Sequence, residues 1–182
     1  MRIMESERLL IKPIEEEDIL ELLEIRWDAD VMQLSLHEPI SKKEQLEWFN
    51  SQTKKDLALS VFLKENSENI LIGTIGLYNI NMMHQRAVFR MRLSQKAQGK
   101  GVGFEAGCML MEYGFNVLNL HRITGDQFAV NKAAVTFCKK MGFKEEGIFR
   151  KHHYQNGEFR DVSMVGLLKE DFFEAMKKRK KG

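Results

Sequence analysis

Cysteine is almost missing from this chain. Only Cys108 and Cys138 occur in 182 residues, too few for a disulfide framework, and eleven methionines beside them fit a reduced compartment. No apolar run approaches the roughly 20 residues of a membrane span. The opening residues, MRIMESERLLIKP, carry charges throughout and hold no apolar signal core. The expectation is therefore a cytoplasmic chain that makes no use of a membrane. No grouping of His, Cys, Asp and Glu has metal-ligand spacing, so no metal is expected. Ser, His and Asp cannot be set out as a triad. There is no linker and no repeat, and no biased segment apart from Lys177–Lys181. With 43% hydrophobic and 30% charged residues, the composition is that of one domain over 1–182, with residues 178–182 expected as a disordered basic tail.

Acidic residues are absent from one long stretch. Between Asn69 and Phe104 there is none, while Arg86, Arg90, Arg92, Lys96 and Lys100 all fall there. The net charge of +2 hides this positive field, which suits a polyanionic ligand. Conversely, Glu15 to Asp30 holds eight carboxylates against Arg26. That stretch reads as a solvated helix face with acid at its N-terminus, or as an acidic wall near a cationic acceptor. The basic residues before the loop are better explained by ligand phosphates than by nucleic acid, so no nucleic-acid partner is expected.

The positive stretch ends in Gln98-Gly99-Lys100-Gly101-Val102-Gly103, which follows the strand-like Ala87–Leu93 and precedes the helix-like Phe104–Leu118. Strand, glycine-rich loop and helix form a phosphate cradle: the backbone turns its N–H groups outward, and the helix start adds unpaired donors and the positive dipole end. A Walker loop would need G-x-x-x-x-G-K-[ST], which does not occur. A Rossmann fingerprint can be forced from Gly101, Gly103 and Ala106, but too little chain follows to build a doubly wound sheet. A third possibility is the acyltransferase pyrophosphate loop [Q/R]-x-x-G-x-[G/A], met by Gln98, Gly101 and Gly103.

Along the chain, Arg8–Ile14 reads as a strand and Glu15–Trp27 as an amphipathic helix. Asp28 to Ile40 reads as irregular. Ser41 with Glu44 is a capping box opening a helix to about Lys54. Leu57–Leu63, Ile70–Ile80 and His84–Leu93 read as strands. After the loop and its helix come a strand, His121–Gln127, and a helix, Asn131–Met141, stopped by Gly142. A closing hairpin, Phe143–Lys151 and Glu158–Leu168, turns across Gln155-Asn156-Gly157.

This order of elements resembles the GNAT acetyltransferases over essentially the whole chain. Asn131, Ala134, Gly142 and Phe143 match the family segment N-x-x-A-x-x-x-Y-x-x-x-G-F, at the right distance from the loop. The resemblance implies an α/β (α+β) fold with a mixed, mostly antiparallel sheet of about seven strands flanked by helices. It also implies acetyl-CoA as co-substrate and transfer of its acetyl group to a primary amine. Within the family, Met83-His84-Gln85-Arg86-Ala87, Met111–Leu120 and Gln155–Arg160 resemble the spermidine N-acetyltransferases. Arg26-Trp27 to Pro39 and Trp48-Phe49 are also similar to amino-sugar acetyltransferases, and the ribosomal-protein N-terminal acetyltransferases share the plan.

The roles the resemblance implies are these. Backbone amides of Gln98, Gly99, Lys100, Gly101, Val102 and Gly103 would hold the pyrophosphate, with Lys100 adding charge. Met91, Arg92 and Leu93 would run beside the pantetheine arm, and the Leu93 N–H would polarise the thioester carbonyl. Asn131, Ala134 and Phe137 would border the same arm. Cys138 stands where the family has the tyrosine that protonates the leaving thiolate. It is either an acid in its own right or a small hydrophobe on the stripe Ala134, Phe137, Cys138, Met141. His84 is the candidate base, with His121, His152 and His153 as alternatives. Trp27, Asp28, Glu38, His84 and Tyr154 are the candidate acceptor residues. A polyamine acceptor stands ahead of an amino sugar, although Val88 occupies a position where polyamine enzymes carry a carboxylate. A ribosomal or other protein N-terminus is third. A non-catalytic CoA-binding module is the reading from another class, and a homodimer or larger homo-oligomer is expected.

Overall fold

The computed structural model describes residues 4–33 and 39–181. Among these residues, eight strands form one sheet: β1 (Met4–Glu5), β2 (Leu9–Pro13), β3 (Leu57–Glu65), β4 (Glu68–Asn81), β5 (Arg86–Leu93), β6 (Arg122–Phe128), β7 (Lys144–Gln155) and β8 (Glu158–Leu168). Their spatial order is β1-β2-β3-β4-β5-β6-β8-β7. Every neighbouring pair is antiparallel except β5 and β6, which run parallel. The strand beyond the expected seven is β1, a two-residue edge against Leu10 and Ile11 that is too short to leave a periodic signal.

The helices are α1 (Ile19–Trp27), α2 (Ala29–Gln33), α3 (Lys42–Asn50), α4 (Val102–Asn116), α5 (Lys132–Met141) and α6 (Lys169–Lys181). A 3-10 turn at Glu16–Asp18 starts α1, and a second at Gln95–Ala97 precedes the glycine loop. Part of the stretch expected to be irregular is helical as α2, whose first turn is capped by Asp28 Oδ1 accepting from the N–H groups of Asp30 and Val31 at 3.0 Å. The stretch expected as a disordered tail continues α6 to Lys181, with Lys178 paired to Glu174 at 2.6 Å. Ser41 and Glu44 form the expected capping box.

Strand alternation explains why two cores sit on opposite sheet faces. Leu9, Ile11, Val61, Leu63, Ile75 and Leu77 pack with Val102, Ala106, Leu110 and Phe115 of α4, Met141 of α5 and Phe172 of α6. The intervening Leu10, Phe62 and Leu71 pack with Ile19 and Leu22 of α1 and Leu46 and Phe49 of α3. Among the described residues, no helix is long and apolar enough to cross a membrane.

Candidate active site

The parallel pairing of β5 with β6 is short. It covers Arg86–Arg122, Ala87–Ile123 and Val88–Thr124, after which β5 continues to Leu93 and β6 to Phe128 with no further partners between them. The two strands thus form a V whose vertex is Val88 and Thr124. Ser94 donates its backbone N–H to the Ile72 carbonyl at 2.8 Å. By the alternation of an antiparallel ladder, the N–H of Leu93 then faces away from β4, into the open V. The buried Ser94 hydroxyl has no partner among the described residues, and it sits where the strand passes into the glycine loop.

At the mouth of the V lies the loop. Gly99 (φ 73°) and Gly101 (φ 75°) are both left-handed, and a Cβ at either would meet nothing within 4 Å. Backbone conformation alone therefore demands glycine at these two positions. Gly101 is the N-cap of α4, which leaves the amides of the first turn without helical partners. Such a concave run of N–H donors on a helix start fits a pyrophosphate. Lys100 reaches Glu65 at 3.1 Å. Behind the loop, the Arg8 guanidinium donates to the Lys100 carbonyl at 3.0 Å and pairs with Glu105. Ser6 donates to the same carboxylate at 2.6 Å. Arg8 carried no functional signal in the sequence; only the fold brings it across 92 residues to the loop.

On the α4–α5 side of the V, Phe89 stacks on Phe137 at 5.8 Å, and Phe104 meets Phe137 edge-on at 6.4 Å. Met91 and Leu93 lie under Gly103, where a Cβ would press Leu93 at 2.9 Å. Asn131 caps α5, its Oδ1 accepting from the Ala134 N–H at 3.0 Å. Cys138 is buried (8% exposed), its thiol directed at Gln127 Oε1 at 3.4 Å. Burial pushes that thiol up to about 11, against the partial offset of the Gln127 contact.

The opposite side of the V holds a cavity of about 460 Å³. Val88, Arg90, Thr124 and Asp126 line it from the two strands, with His152 and His153 from β7. Arg90 and Asp126 pair across the gap just beyond the vertex. Further along β5, the half-buried Arg92 is lowered to about 10 by desolvation and by the neighbouring charge of Arg26. Desolvation raises Tyr78, beside it, to about 12. A second cavity of about 330 Å³ lies between α2 and the β7–β8 hairpin, bounded by Met32, Gln33, Pro39, His153 and Tyr154.

The remaining sequence candidates disperse. His84 is exposed in the β4–β5 turn, its backbone N–H donating to Asn81 Oδ1 at 2.9 Å, and it lines neither cavity. The strand separating it from Leu93 is about 23 Å long at ~3.3 Å per residue, so the structure does not bring these two together. Exposed Trp27 donates from Nε1 to the Ile40 carbonyl at 2.9 Å, and Asp28 is occupied in capping α2. Tyr154 is exposed against Phe159, with ring centres 5.0 Å apart. Glu38 lies outside the described residues. No group of three potential metal ligands occurs among the described residues.

Residues 8–144 match the family model for the acetyltransferase (GNAT) domain. The spermidine N(1)-acetyltransferase of Vibrio cholerae serotype O1 is 27% identical over 167 residues, covering 92% of this chain and 96% of that protein. The Escherichia coli K12 spermidine N(1)-acetyltransferase is 28% identical, covering 89% and 87%. An uncharacterized N-acetyltransferase of Bacillus licheniformis, p20, is 29% identical over 178 residues, covering 94% and 99%. Among solved structures, the V. cholerae spermidine N-acetyltransferase in complex with CoA and spermine superposes with a TM-score of 0.84 at 26% identity, covering 92% of this chain and 99% of that one. With the family model covering residues 8–144, the chain belongs to the GNAT acetyltransferase family.

Proposed function

We propose that the chain is an acetyl-CoA-dependent N-acetyltransferase of small primary amines, with a polyamine such as spermidine or spermine as the acceptor class. The observation that carries this reading is the V itself. It has donors for a diphosphate at one end, a splayed strand for the pantetheine arm, and a cavity meeting the vertex from the opposite sheet face. A thioester held in the V and an amine in the cavity would converge at Val88 and Thr124. The polyamine class is supported by relatives named for spermidine and by a neighbouring structure holding spermine.

In this reading the amides of Gln98 to Gly103 bind the pyrophosphate, and Asn131, Ala134 and Phe137 border the arm. The Leu93 N–H supports the carbonyl oxygen as it gains charge. Cys138, with its proton held to about 11, acts as packing, and the thiolate takes its proton from the new amide nitrogen or from solvent. A second acceptor reading, an amino-sugar nucleotide, is favoured by Arg26, Arg90 and Arg92 on the acceptor face and by Val88 in place of a carboxylate.

The test is free-thiol release from acetyl-CoA against spermidine, spermine, 4-amino-sugar nucleotides and ribosomal N-terminal peptides. Turnover confined to the polyamines is the expected result. Turnover confined to the sugar nucleotides would move the acceptor to the second reading. Binding of acetyl-CoA without turnover on any amine would leave a CoA-binding module.

A further inference from the structure

Strand β7 contains an irregularity that places two chemically able side chains in the acceptor cavity. Phe149 is opposite Val162, and the next paired residue, His153, is opposite Arg160. Four steps along β7 thus face two along β8. The extra length is taken up at Lys151, which adopts φ 50° and donates its N–H to Asp161 Oδ1 at 2.7 Å. Consecutive residues of a regular strand point to opposite faces. Here consecutive His152 and His153 line the same cavity, as a bulge that re-aims side chains permits.

The two imidazoles are not equivalent. His152 is exposed and packs on Phe149, with ring centres 5.0 Å apart. His153 is half-buried and edge-on to Phe128 at 5.3 Å. Among the described residues it is the one common to the walls of both cavities. In the larger cavity His153 shares the wall with Val88 and Thr124 at the vertex.

We infer that His153 is the base that deprotonates the acceptor amine; this rests on the N-acetyltransferase reading above. The acceptor arrives as an ammonium ion. Its proton passes to the neutral His153 imidazole, which becomes imidazolium, and the freed lone pair forms the C–N bond at the thioester carbonyl carbon. Collapse breaks the C–S bond, the nitrogen gives up its second proton, the thiolate gains one, and His153 returns its proton to solvent. The charged and titratable groups around this imidazole are Arg90 from β5, Asp126 from β6, Arg160 from β8, and His152 and Tyr154 from its own strand. The part of α2 that walls the second cavity contributes Ala29, Met32 and Gln33, none of them charged. The Asp126 carboxylate is the one anion among them, and it is paired with Arg90.

The test is kcat/KM for spermidine from pH 6.5 to 10 in the parent, His153→Gln, His153→Asn and His152→Gln, with acetyl-CoA binding and the thermal midpoint as folding controls. The expected loss for either His153 variant at pH 7 is about 100-fold or more, typical of a removed general base. The gap should narrow as the amine deprotonates in solution. Added imidazole should restore at least about tenfold in His153→Ala. A His153→Gln loss below about threefold overturns the assignment, as does a loss of constant size at all pH values without rescue, or the full effect appearing in His152→Gln. If the His153 variants fail to fold, NMR titration of that ring in the parent replaces kinetics. A protonation midpoint displaced by spermidine supports the role, and one left in place overturns it. Turnover of no amine by the parent would remove the acetyltransferase reading itself and the base with it, an outcome distinct from an active parent with active variants.

Discussion

The Cys138 thiol is buried and directed at Gln127 Oε1 at 3.4 Å. The resemblance to the family implies a proton-donating tyrosine at this position; here the thiol is 8% exposed and raised to about 11 by burial. Cys108, packed on the sulfurs of Met141 and Met176, is likewise raised to about 11 by burial. Cys138→Ala is expected to leave kcat within about threefold and to lower stability by roughly 1 kcal/mol, as a small core truncation does. A 100-fold fall in kcat would instead make the thiol the acid. The two raised thiols also fix a pH dependence. Between an unfolded value near 8.5 and the folded value of about 11, the folded chain keeps protons that the unfolded chain has lost. Their stabilisation is complete below about pH 8.5 and is lost as pH rises toward 11. Urea unfolding at pH 7.5, 9 and 10.5 should show this decline, with a shallower slope in the Cys108→Ala/Cys138→Ala double variant.

Among elements, the glycine loop is the most legible in sequence, because its requirement is local: positive φ at Gly99 and Gly101 and a helix start directly after them. Gly101→Val should weaken acetyl-CoA binding about tenfold, since a β-branched residue in left-handed backbone costs roughly 1–2 kcal/mol. Gly101→Asn should be milder, because asparagine visits that region. Open space at the position means that no clash confuses the comparison, and calorimetric titration with CoA reads it directly. The caps Ser41 and Gly142 were legible for the same local reason, whereas Asn131, read as the first residue of a helix, is that helix's N-cap. The clamp behind the loop was not. Arg8 meets Lys100 and Glu105 only once β2 and α4 have packed, and no periodicity encodes a contact of that separation. Arg8→Ala should raise the KM for acetyl-CoA about fivefold with little change in kcat, the loss of roughly 1 kcal/mol of exposed, charge-assisted contact. The β7 bulge was illegible too. It is held by Lys151, a non-glycine residue in left-handed conformation, and by Asp161 on the neighbouring strand.

At the scale of the whole molecule, the sheet ends in two unlike edges. One is β1, two residues long among the described residues. The other is β7, twelve residues long and exposed along most of its length. On the β7–β8 hairpin, Ile148, Phe149, Tyr154 and Phe159 are each 47–64% exposed, a concentration of large apolar side chains that a monomer would leave in water. The same hairpin supplies His152, His153 and Tyr154 to the cavities, so association through this edge would border the acceptor entrance. The expectation is a homo-oligomer assembled through β7–β8, with a mass by light scattering at least twice the 21.2 kDa of one chain. Phe159→Glu places a charge within that surface but lines neither cavity, so it should lower the oligomer mass while acetyl-CoA affinity stays within about twofold. A parent that runs at 21.2 kDa at micromolar concentration would show that the exposed aromatic surface serves something other than self-association.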